Sequence, residues 1–318
     1  MLVAVLLFLA WLGILAFAAD RFVHGAAALA KNIGISPMVI GLTIVAMGSS
    51  APEILISAVA SYKGNINTAI GNALGSNITN IALVLGLTTL LKPLLIKSLT
   101  LKREMPLLVI VTMLATYLLS DLTLSRGEGI LLIGLFFMMI ATLIGLSLYA
   151  DKGDPLVAET ESEIPSNVSN YRALMWLIAG LVLLPLSANY MVDSAVVIAK
   201  ALGLSDLIIG LTIIALGTSL PELAASIAGV LKNEDDMALG NIIGSNILNI
   251  LAVMAIPGLI APGVIDAQAA NRDAYVMLGL SVLLLIMCFN FKGVRRISRL
   301  NGLLLITCFI TYQYLLFG

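Results

Sequence analysis

One strongly apolar stretch, which contains a Pro-Glu pair, occurs twice in the chain, 169 residues apart. The first copy, residues 41–81, is GLTIVAMGSSAPEILISAVASYKGNINTAIGNALGSNITNI, and the second, residues 210–250, is GLTIIALGTSLPELAASIAGVLKNEDDMALGNIIGSNILNI. The register holds throughout, so that Glu53 corresponds to Glu222. Polar and charged side chains are costly inside segments apolar enough to span a membrane, and where they occur there they usually have a function. The duplicated stretch is therefore the first candidate for a functional site.

The composition restricts the chain to one broad class. Hydrophobic residues make up 60% of the 318 residues and charged residues 11%, with a mean hydropathy of +1.08. Soluble domains are about 45–50% apolar and about 25% charged, so the composition predicts a polytopic membrane protein. A net charge of −1 does not indicate a nucleic-acid partner. One histidine and two cysteines, Cys288 and Cys308, do not predict a His/Cys metal site or a disulfide.

A membrane-spanning helix needs roughly 20 apolar residues, and this criterion predicts ten spans. The first and sixth are overlong and are expected to be tilted or partly interfacial. We interpret the first as a retained span rather than a signal peptide, because no Lys or Arg precedes its apolar run. The predicted spans are 2–30, 37–62, 67–91, 104–120, 128–149, 172–199, 206–231, 236–260, 273–290 and 299–317.

The long polar connection 151–171, which is acidic and contains two prolines, divides the chain into halves of five spans each, 1–150 and 172–318. The repeat extends over at least 19–104 and 188–273. Because five is odd, the second copy must enter the membrane in the opposite orientation. The predicted fold is therefore an all-α membrane protein of ten helices, built as two inverted-topology five-helix repeats with broken helices at an ion site near the midplane.

The distribution of basic residues predicts the orientation. With ten spans, thirteen Lys and Arg residues fall on one face and four on the other, mostly in the loops after spans three and nine. The positive-inside rule makes those loops cytoplasmic and leaves both termini outside. We expect an integral protein of the bacterial inner membrane.

The first part of each motif offers several oxygen ligands within one turn. Pro52 and Pro221 each displace the carbonyl four residues upstream, at Gly48 and Gly217, which favours a break in the helix. Irregular backbone at membrane depth is tolerated where it is buried in protein or lines a cavity. Each break therefore presents free carbonyls, two hydroxyls and a carboxylate.

The second part of each motif adds hydroxyl and amide groups on the next span. Ser76 and Asn80, four residues apart, share a helix face. In a membrane helix a lone Ser, Thr or Asn commonly joins helices rather than binding a ligand. Repetition of the whole constellation favours an ion site, with Asn77 and Asn246 as weaker candidates that brace helices.

Two carboxylates surrounded by neutral oxygens predict a divalent cation as the bound species. Ca²⁺ accepts 6–8 oxygen ligands in flexible geometry, whereas Mg²⁺ requires a strict octahedron and retains its waters. Transition metals favour His or Cys ligands. Na⁺ would use the same oxygens as Ca²⁺. No cofactor is expected besides the transported ions.

Two other polar groups are weaker candidates. His24 and Asp193 correspond to each other near the ends of spans one and six and are interpreted as interfacial residues. The acidic run 234–236 is interpreted as a solvated turn.

The paired motifs GLTIVAMGSSAPE with GNALGSNITNI, and GLTIIALGTSLPE with GNIIGSNILNI, resemble the two alpha repeats of the sodium/calcium exchanger family, in its compact bacterial and archaeal branch. The resemblance covers essentially the whole chain. It implies electrogenic antiport of Ca²⁺ against Na⁺ by alternating access, with spans one and six sliding against a fixed core.

The resemblance also implies a set of ion ligands. Some potassium-dependent members carry Asp where this chain has Asn249, which weakens the case for K⁺ co-transport. The implied ligands are the carbonyls of Ala46 and Ala215, the hydroxyls of Ser49, Ser50, Ser76, Thr218, Ser219 and Ser245, the carboxylates of Glu53 and Glu222, and the amides of Asn80 and Asn249.

Other functions stay open at this point. Ca²⁺/H⁺ exchange on the same scaffold is the nearest alternative, because Glu53 and Glu222 could carry protons at depth. A cation channel is disfavoured, since channels usually form a pore from a ring of subunits. An enzyme is not expected, and the predicted partners are small cations and the lipid bilayer, without an obligate protein partner.

Overall fold

The architecture is described from a computed structural model of the chain. The described residues are 2–33, 48, 50–96, 101–148, 168–231, 235–288 and 296–317. Most of the predicted acidic connection, and residues 41–47 and 49 of the first motif, lie outside them.

Helices dominate the described residues, and each of the ten predicted spans contains one helical run. Seven of the described helices are long and apolar enough to cross a membrane, and two shorter apolar helices are Ala51–Tyr62 and Glu104–Leu119. The chain is thus an all-helical, multi-pass membrane protein, while the count of ten crossings stays a prediction. The runs are α1 Leu2–Asn32, α2 Ala51–Tyr62, α3 Ile66–Leu91, α4 Leu101–Leu119, α5 Arg126–Leu148, α6 Asn170–Leu202, α7 Asp206–Leu231, α8 from Asp235–Leu248 to Ala255–Ile260, α9 Ala269–Cys288 and α10 Arg299–Phe317.

Helices α1 and α6 are the longest, with 31 and 33 residues. At 1.5 Å per residue each is about 45–50 Å long, well beyond the roughly 30 Å hydrocarbon core. The expectation that the first and sixth spans are overlong is confirmed.

Two short antiparallel sheets, which the sequence did not predict, join the halves of the chain. Strand β1 (Leu94–Leu95) pairs with β4 (Arg296–Ile297), and β2 (Thr123–Leu124) pairs with β3 (Gly263–Val264). β1 and β3 occupy corresponding positions in the two sequence copies, because Gly263 lies 169 residues after Leu94. The two sheets therefore make reciprocal connections between the halves.

The apolar side chains form two separate clusters. One is built mainly from α1 and α6, with some residues of α2 and α7, and Trp11 at its edge stacks on Tyr190 with ring centroids 4.7 Å apart. A Cβ at Gly25 of α1 would lie 2.6 Å from the Ala173 carbonyl oxygen of α6, so the two backbones are in close contact. The other cluster draws on α3, α4, α5, α8, α9 and α10. The α1/α6 pair thus packs in an apolar cluster distinct from the main core.

Corresponding residues of the two copies meet inside the main core. The side-chain amide of Asn77 donates to the Asn246 carbonyl oxygen at 3.2 Å, and the Thr112 and Ser281 hydroxyls lie 3.4 Å apart. Both pairs are separated by 169 residues in sequence. Corresponding positions of the two sequence copies therefore meet where α3 contacts α8 and where α4 contacts α9.

Close glycine contacts attach the last helix of each half to the other half. A Cβ at Gly86 of α3 would lie 3.2 Å from the Gly302 carbonyl oxygen of α10. A Cβ at Gly129 of α5 would lie 3.0 Å from the carbonyl carbon of Gly258 in α8. These reciprocal contacts hold α3 and α8 at the centre of the core, where the second part of each motif is located.

Candidate cation-binding site

Glu53 is placed by the start of α2. Ser50 has a non-helical conformation (φ −96°, ψ 12°), the helix begins at Ala51, and Pro52 stands in its first turn, where its missing N–H removes no helical hydrogen bond. The Ile54 amide closes the turn by donating to the Ser50 carbonyl at 3.0 Å. Glu53 follows in the same turn and is fully buried.

Glu222 has an equivalent position in α7. A π-helical turn, Gly210–Ile214, leads into the short helix Ala215–Thr218, and the helix resumes as Leu220–Leu231 after Ser219 (φ −83°, ψ 0°). The predicted helix break is thus an interruption of one residue. Glu222, in the first turn that follows, is 1% exposed. The two breaks aim their carboxylates into protein rather than lipid.

Glycines bring α3 directly against α7. A Cβ at Gly75 would lie 2.7 Å from the Leu211 Cα, and one at Gly71 would lie 2.6 Å from the Leu207 carbonyl oxygen. Any larger residue at either position would require the backbones to separate. Small residues at helix interfaces are the usual means of such close approach in membranes.

This contact joins the hydroxyls of the two motifs. The Ser76 and Thr218 hydroxyls lie 3.4 Å apart, and Thr218 donates to the Ala215 carbonyl oxygen, also at 3.4 Å. Thr218 lies one turn before Glu222. Predicted ligand residues from both halves are therefore neighbours in the structure.

Asn72 fixes the position of α2 without being one of the predicted ligands. Its side-chain amide donates to the Glu53 carbonyl oxygen and to the Ser57 hydroxyl, each at 3.1 Å. Ser57 in turn donates to the Ala69 carbonyl at 3.4 Å. The backbone of the turn that carries Glu53 is thus hydrogen-bonded to α3.

Three amides connect α3 to α8. Besides the bond from Asn77 to the Asn246 carbonyl, the Asn246 amide donates to the Asn77 carbonyl at 3.5 Å, and the Asn80 amide donates to the Asn246 side-chain oxygen at 3.1 Å. Asn77 also contacts the Met277 sulfur at 3.3 Å. Asn77 and Asn246 do brace the helices.

Most of the predicted ligand oxygens have no hydrogen-bond partner among the described residues, although they are buried. A buried polar oxygen without a partner costs about 1–3 kcal/mol, and more if it is charged, so a concentration of such atoms needs an explanation. The two carboxylates also lie within Coulombic range of each other. The unpartnered oxygens at predicted ligand positions are Ser50 Oγ, both Oε atoms of Glu53, Asn80 Oδ1, Ser219 Oγ, both Oε atoms of Glu222, and Asn249 Oδ1.

The remaining predicted ligands are less well defined. Ala46 and Ser49 lie outside the described residues. Ser245 is 3% exposed and makes an interaction of its own. Further buried oxygens at Thr79 and Ser226 are also without a partner in the described part of the chain, and Ser226 corresponds to Ser57 of the first copy.

The sequence did not indicate two features beside the site. π-Helical turns at Thr79–Leu85 and Asn249–Val253 begin at or beside Asn80 and Asn249. Such turns are frequent at functional sites. Residue type alone does not distinguish them from regular helix, since they depend on packing.

The interpretation of the acidic run 234–236 as a solvated turn is wrong for Asp235. This residue begins α8, is 7% exposed, and accepts from the Lys92 side chain and the Leu95 amide, each at 3.1 Å. A carboxylate at a helix N-terminus is also stabilised by the helix dipole. Asp193, by contrast, is exposed and pairs with Lys63, as expected of an interfacial residue.

A multi-pass helical bundle that buries two carboxylates among unpartnered oxygens has the construction of a membrane transporter for cations. The family described as "Sodium/calcium exchanger protein" matches residues 3–145 and 172–318. The chain belongs to the sodium/calcium exchanger family, and as a member of it is a cation/calcium antiporter.

Individual relatives extend over nearly the full chain. The chain is 55% identical to the putative antiporter CaxA of Alkalimonas amylolytica over 318 residues, which cover 100% of both chains. It is 42% identical to the inner membrane protein YrbG of Escherichia coli, with 91% of this chain and 90% of that protein covered. A solved structure of the sodium-calcium exchanger NCX_Mj, soaked with Na⁺ and Ca²⁺, has a TM-score of 0.65 and 33% identity over 98% of this chain and 97% of that one.

Proposed function

We propose that the chain exchanges Ca²⁺ for Na⁺ by alternating access, with Glu53 and Glu222 as the charged ligands of a shared ion site. The observation that carries the proposal is the burial of both carboxylates, neither of which has a hydrogen-bond partner among the described residues. Two such charges in a membrane interior are strongly unfavourable unless a cation neutralises them.

The neutral ligands of the proposed site are the hydroxyl, amide and carbonyl oxygens around these carboxylates. Hard oxygen ligands in irregular geometry suit Ca²⁺ and Na⁺, which are the transported substrates. The contact between Ser76 and Thr218 supports a site shared by both halves. The full proposed set is Ala46, Ser49, Ser50, Glu53, Ser76, Asn80, Ala215, Thr218, Ser219, Glu222, Ser245 and Asn249.

The proposed architecture is ten spans in two inverted repeats, 1–150 and 172–318, joined by the acidic connection. The contacts between corresponding residues, Asn77 with Asn246 and Thr112 with Ser281, support the two-fold relation that inverted repeats require. The packing of α1 against α6, in an apolar cluster that is distinct from the main core and also takes in residues of α2 and α7, supports their movement as a pair.

The charge of the site supplies the coupling. An empty site that closes to both sides would hold two repelling carboxylates away from water, at a cost of several kcal/mol per charge. Ca²⁺ neutralises both charges, and Na⁺ ions can do the same. Only loaded forms therefore cross readily between outward-open and inward-open states, which makes exchange obligatory.

We place the protein in a bacterial inner membrane with both termini outside. The excess of basic residues in the loops after α3 and α9 supports this orientation. The description of the Escherichia coli relative as an inner membrane protein supports the location.

The test is ⁴⁵Ca²⁺ uptake into proteoliposomes that contain the purified protein. With pH and K⁺ equal on both sides, an outward Na⁺ gradient should drive uptake, and collapse of the gradient should abolish it. Uptake that ignores Na⁺ and follows an imposed pH gradient would instead establish Ca²⁺/H⁺ exchange. Continuous single-channel currents in planar bilayers would exclude both forms of antiport.

A further inference from the structure

Asn246 and Asn80 form a link in which the orientation of one amide determines that of the next. Asn246 belongs to α8 and Asn80 to α3, and both are fully buried. Neither the match to the sequence motif nor the proposed ligand set gives Asn246 a role in ion binding.

The direction of the hydrogen bonds follows from chemistry. The Asn246 side chain faces the Asn77 backbone carbonyl at 3.5 Å, and a carbonyl can only accept a hydrogen bond. Asn246 must therefore turn its NH₂ group toward Asn77. Its Oδ1 atom then faces Asn80, 3.1 Å away, and requires a donor there.

This requirement fixes the amide of Asn80. Its NH₂ group is committed to Asn246, so its Oδ1 atom is directed elsewhere, and that oxygen is buried with no partner among the described residues. Asn80 lies one turn after Ser76, which contacts Thr218, and its π-helical segment packs against the helix Leu220–Leu231. Asn80 therefore lies on the segment of α3 that packs against the carboxylate-bearing helix, with a buried oxygen that is not committed to another group of the described residues.

We propose that Asn246 is a positioning residue that keeps the Asn80 amide with its oxygen, rather than its NH₂ group, toward the cation site. A flipped Asn80 would aim two partially positive N–H groups at the cation. The inference rests on the proposed function, because it concerns a ligand of that site. It adds a residue that touches no ion and still determines cation affinity.

The corresponding link in the other half is not formed. Asn77 would be the counterpart of Asn246 and Asn249 the counterpart of Asn80, but the oxygen of Asn77 and both polar atoms of Asn249 are without partners among the described residues. Asn77 is thus equally buried and bonded across the same helix pair, yet it orients no ligand amide. It provides a matched control.

The experiment is a double-mutant cycle read by calorimetric titration of Ca²⁺ into purified protein without Na⁺. Asn246→Ala should raise the Kd for Ca²⁺ about tenfold, since tenfold corresponds to about 1.4 kcal/mol, the size of one hydrogen bond. Asn80→Asp makes orientation irrelevant, because either oxygen of a carboxylate can face the ion. Its other oxygen would face Asn246 Oδ1, and two acceptors form no hydrogen bond. In the Asn80→Asp background, Asn246→Ala should therefore not raise the Kd.

Asn77→Ala measures the cost of removing an equally buried amide, and should leave the Kd within about threefold of the parent. Asn246→Leu, close to asparagine in shape, replaces the alanine variant if that protein does not fold. Equal losses of affinity from Asn246→Ala in both backgrounds, or equal losses from Asn246→Ala and Asn77→Ala, would overturn the positioning role.

A Glu53→Gln protein in the same titrations separates this inference from the proposed function. Loss of Ca²⁺ binding in that variant supports the shared site and leaves the cycle to decide the role of Asn246. Unchanged Ca²⁺ binding would overturn the proposed site and the inference together.

Discussion

Replacing one of the two buried carboxylates by its amide should have opposite effects on the ion-bound and the ion-free protein. Glu222→Gln keeps the shape and one oxygen of the side chain and removes its charge. Glu222 is 1% exposed, has no hydrogen-bond partner among the described residues, and is repelled by Glu53. The variant therefore removes a charge whose only favourable partner in the proposed function is a cation.

The expected loss of affinity follows from Coulomb's law. Two unit charges about 4 Å apart interact by about 4 kcal/mol at an effective dielectric of about 20, so a divalent ion and a carboxylate interact by about 8 kcal/mol. If the remaining amide oxygen offsets half of that, about 4 kcal/mol is lost, which raises the Kd for Ca²⁺ roughly a thousandfold.

Thermal unfolding of the purified protein, followed with and without Ca²⁺, measures both effects. Ca²⁺ at a hundred times its Kd should stabilise the parent by about 2.7 kcal/mol and Glu222→Gln by almost nothing. Without ions the variant should be at least as stable as the parent, since it no longer buries two like charges. Asp206→Asn, at an exposed first turn of α7, is the control and should retain the Ca²⁺ response.

A Glu222→Gln protein that Ca²⁺ still stabilises, or that transports ⁴⁵Ca²⁺ at the parental rate, would refute the reasoning. An ion-free variant far less stable than the parent would also contradict it, because the carboxylate would then have a structural partner.

Further predictions concern packing and the helix ends. Gly75→Ala should destabilise the protein by about 1–3 kcal/mol in thermal unfolding, because the new Cβ would lie 2.7 Å from the α7 backbone. Gly279→Ala, with open space around the Cβ, should be neutral or slightly stabilising, and equal effects would contradict the close contact. Lys92→Met should cost about 2–3 kcal/mol, because it removes the cation that pairs with buried Asp235. Lys63→Met, whose partner is exposed, should cost less than about 1 kcal/mol, and a reversed order would contradict the burial argument.

Much of the helical framework can be predicted from the sequence because lipid allows little choice of structure. Backbone groups in the hydrocarbon region must be satisfied within the segment, so an apolar run of sufficient length becomes a helix. This is why the overlong runs at 2–30 and 172–199 appear as helices of 31 and 33 residues. Local features that depend on tertiary contacts, such as the β1/β4 and β2/β3 pairs, have no sequence pattern comparable to a long apolar run.

Repetition carried the signal for the candidate site, whose ligand set stays a prediction. Glu53, Glu222, Ser76 and Thr218 stand at fixed offsets in both motifs, and the structure buries all four and brings the last two together. The prediction for Asp235 was wrong because a short acidic run is usually solvated. Its partner, Lys92, follows α3 and is brought near only by the packing of the helices.

The orientation of an asparagine side chain, with its oxygen or its NH₂ group toward a given neighbour, cannot be predicted from the sequence. The sequence shows that asparagines are present at 77, 80 and 246, but not which neighbour the oxygen and the NH₂ group of each side chain face. That choice is made by the backbone carbonyls that lie opposite when α3 and α8 are packed, and it appears only in three dimensions.

The pairs Asn77/Asn246 and Thr112/Ser281 have a consequence for which substitutions the chain can accept during evolution. Each residue touches its own counterpart, as at the isologous interface of a symmetric dimer. In such a dimer every substitution on the axis is made twice and must be compatible with itself. Within one polypeptide each of the two positions can be substituted without the other. Threonine can therefore face serine at 112 and 281, and the halves are free to specialise.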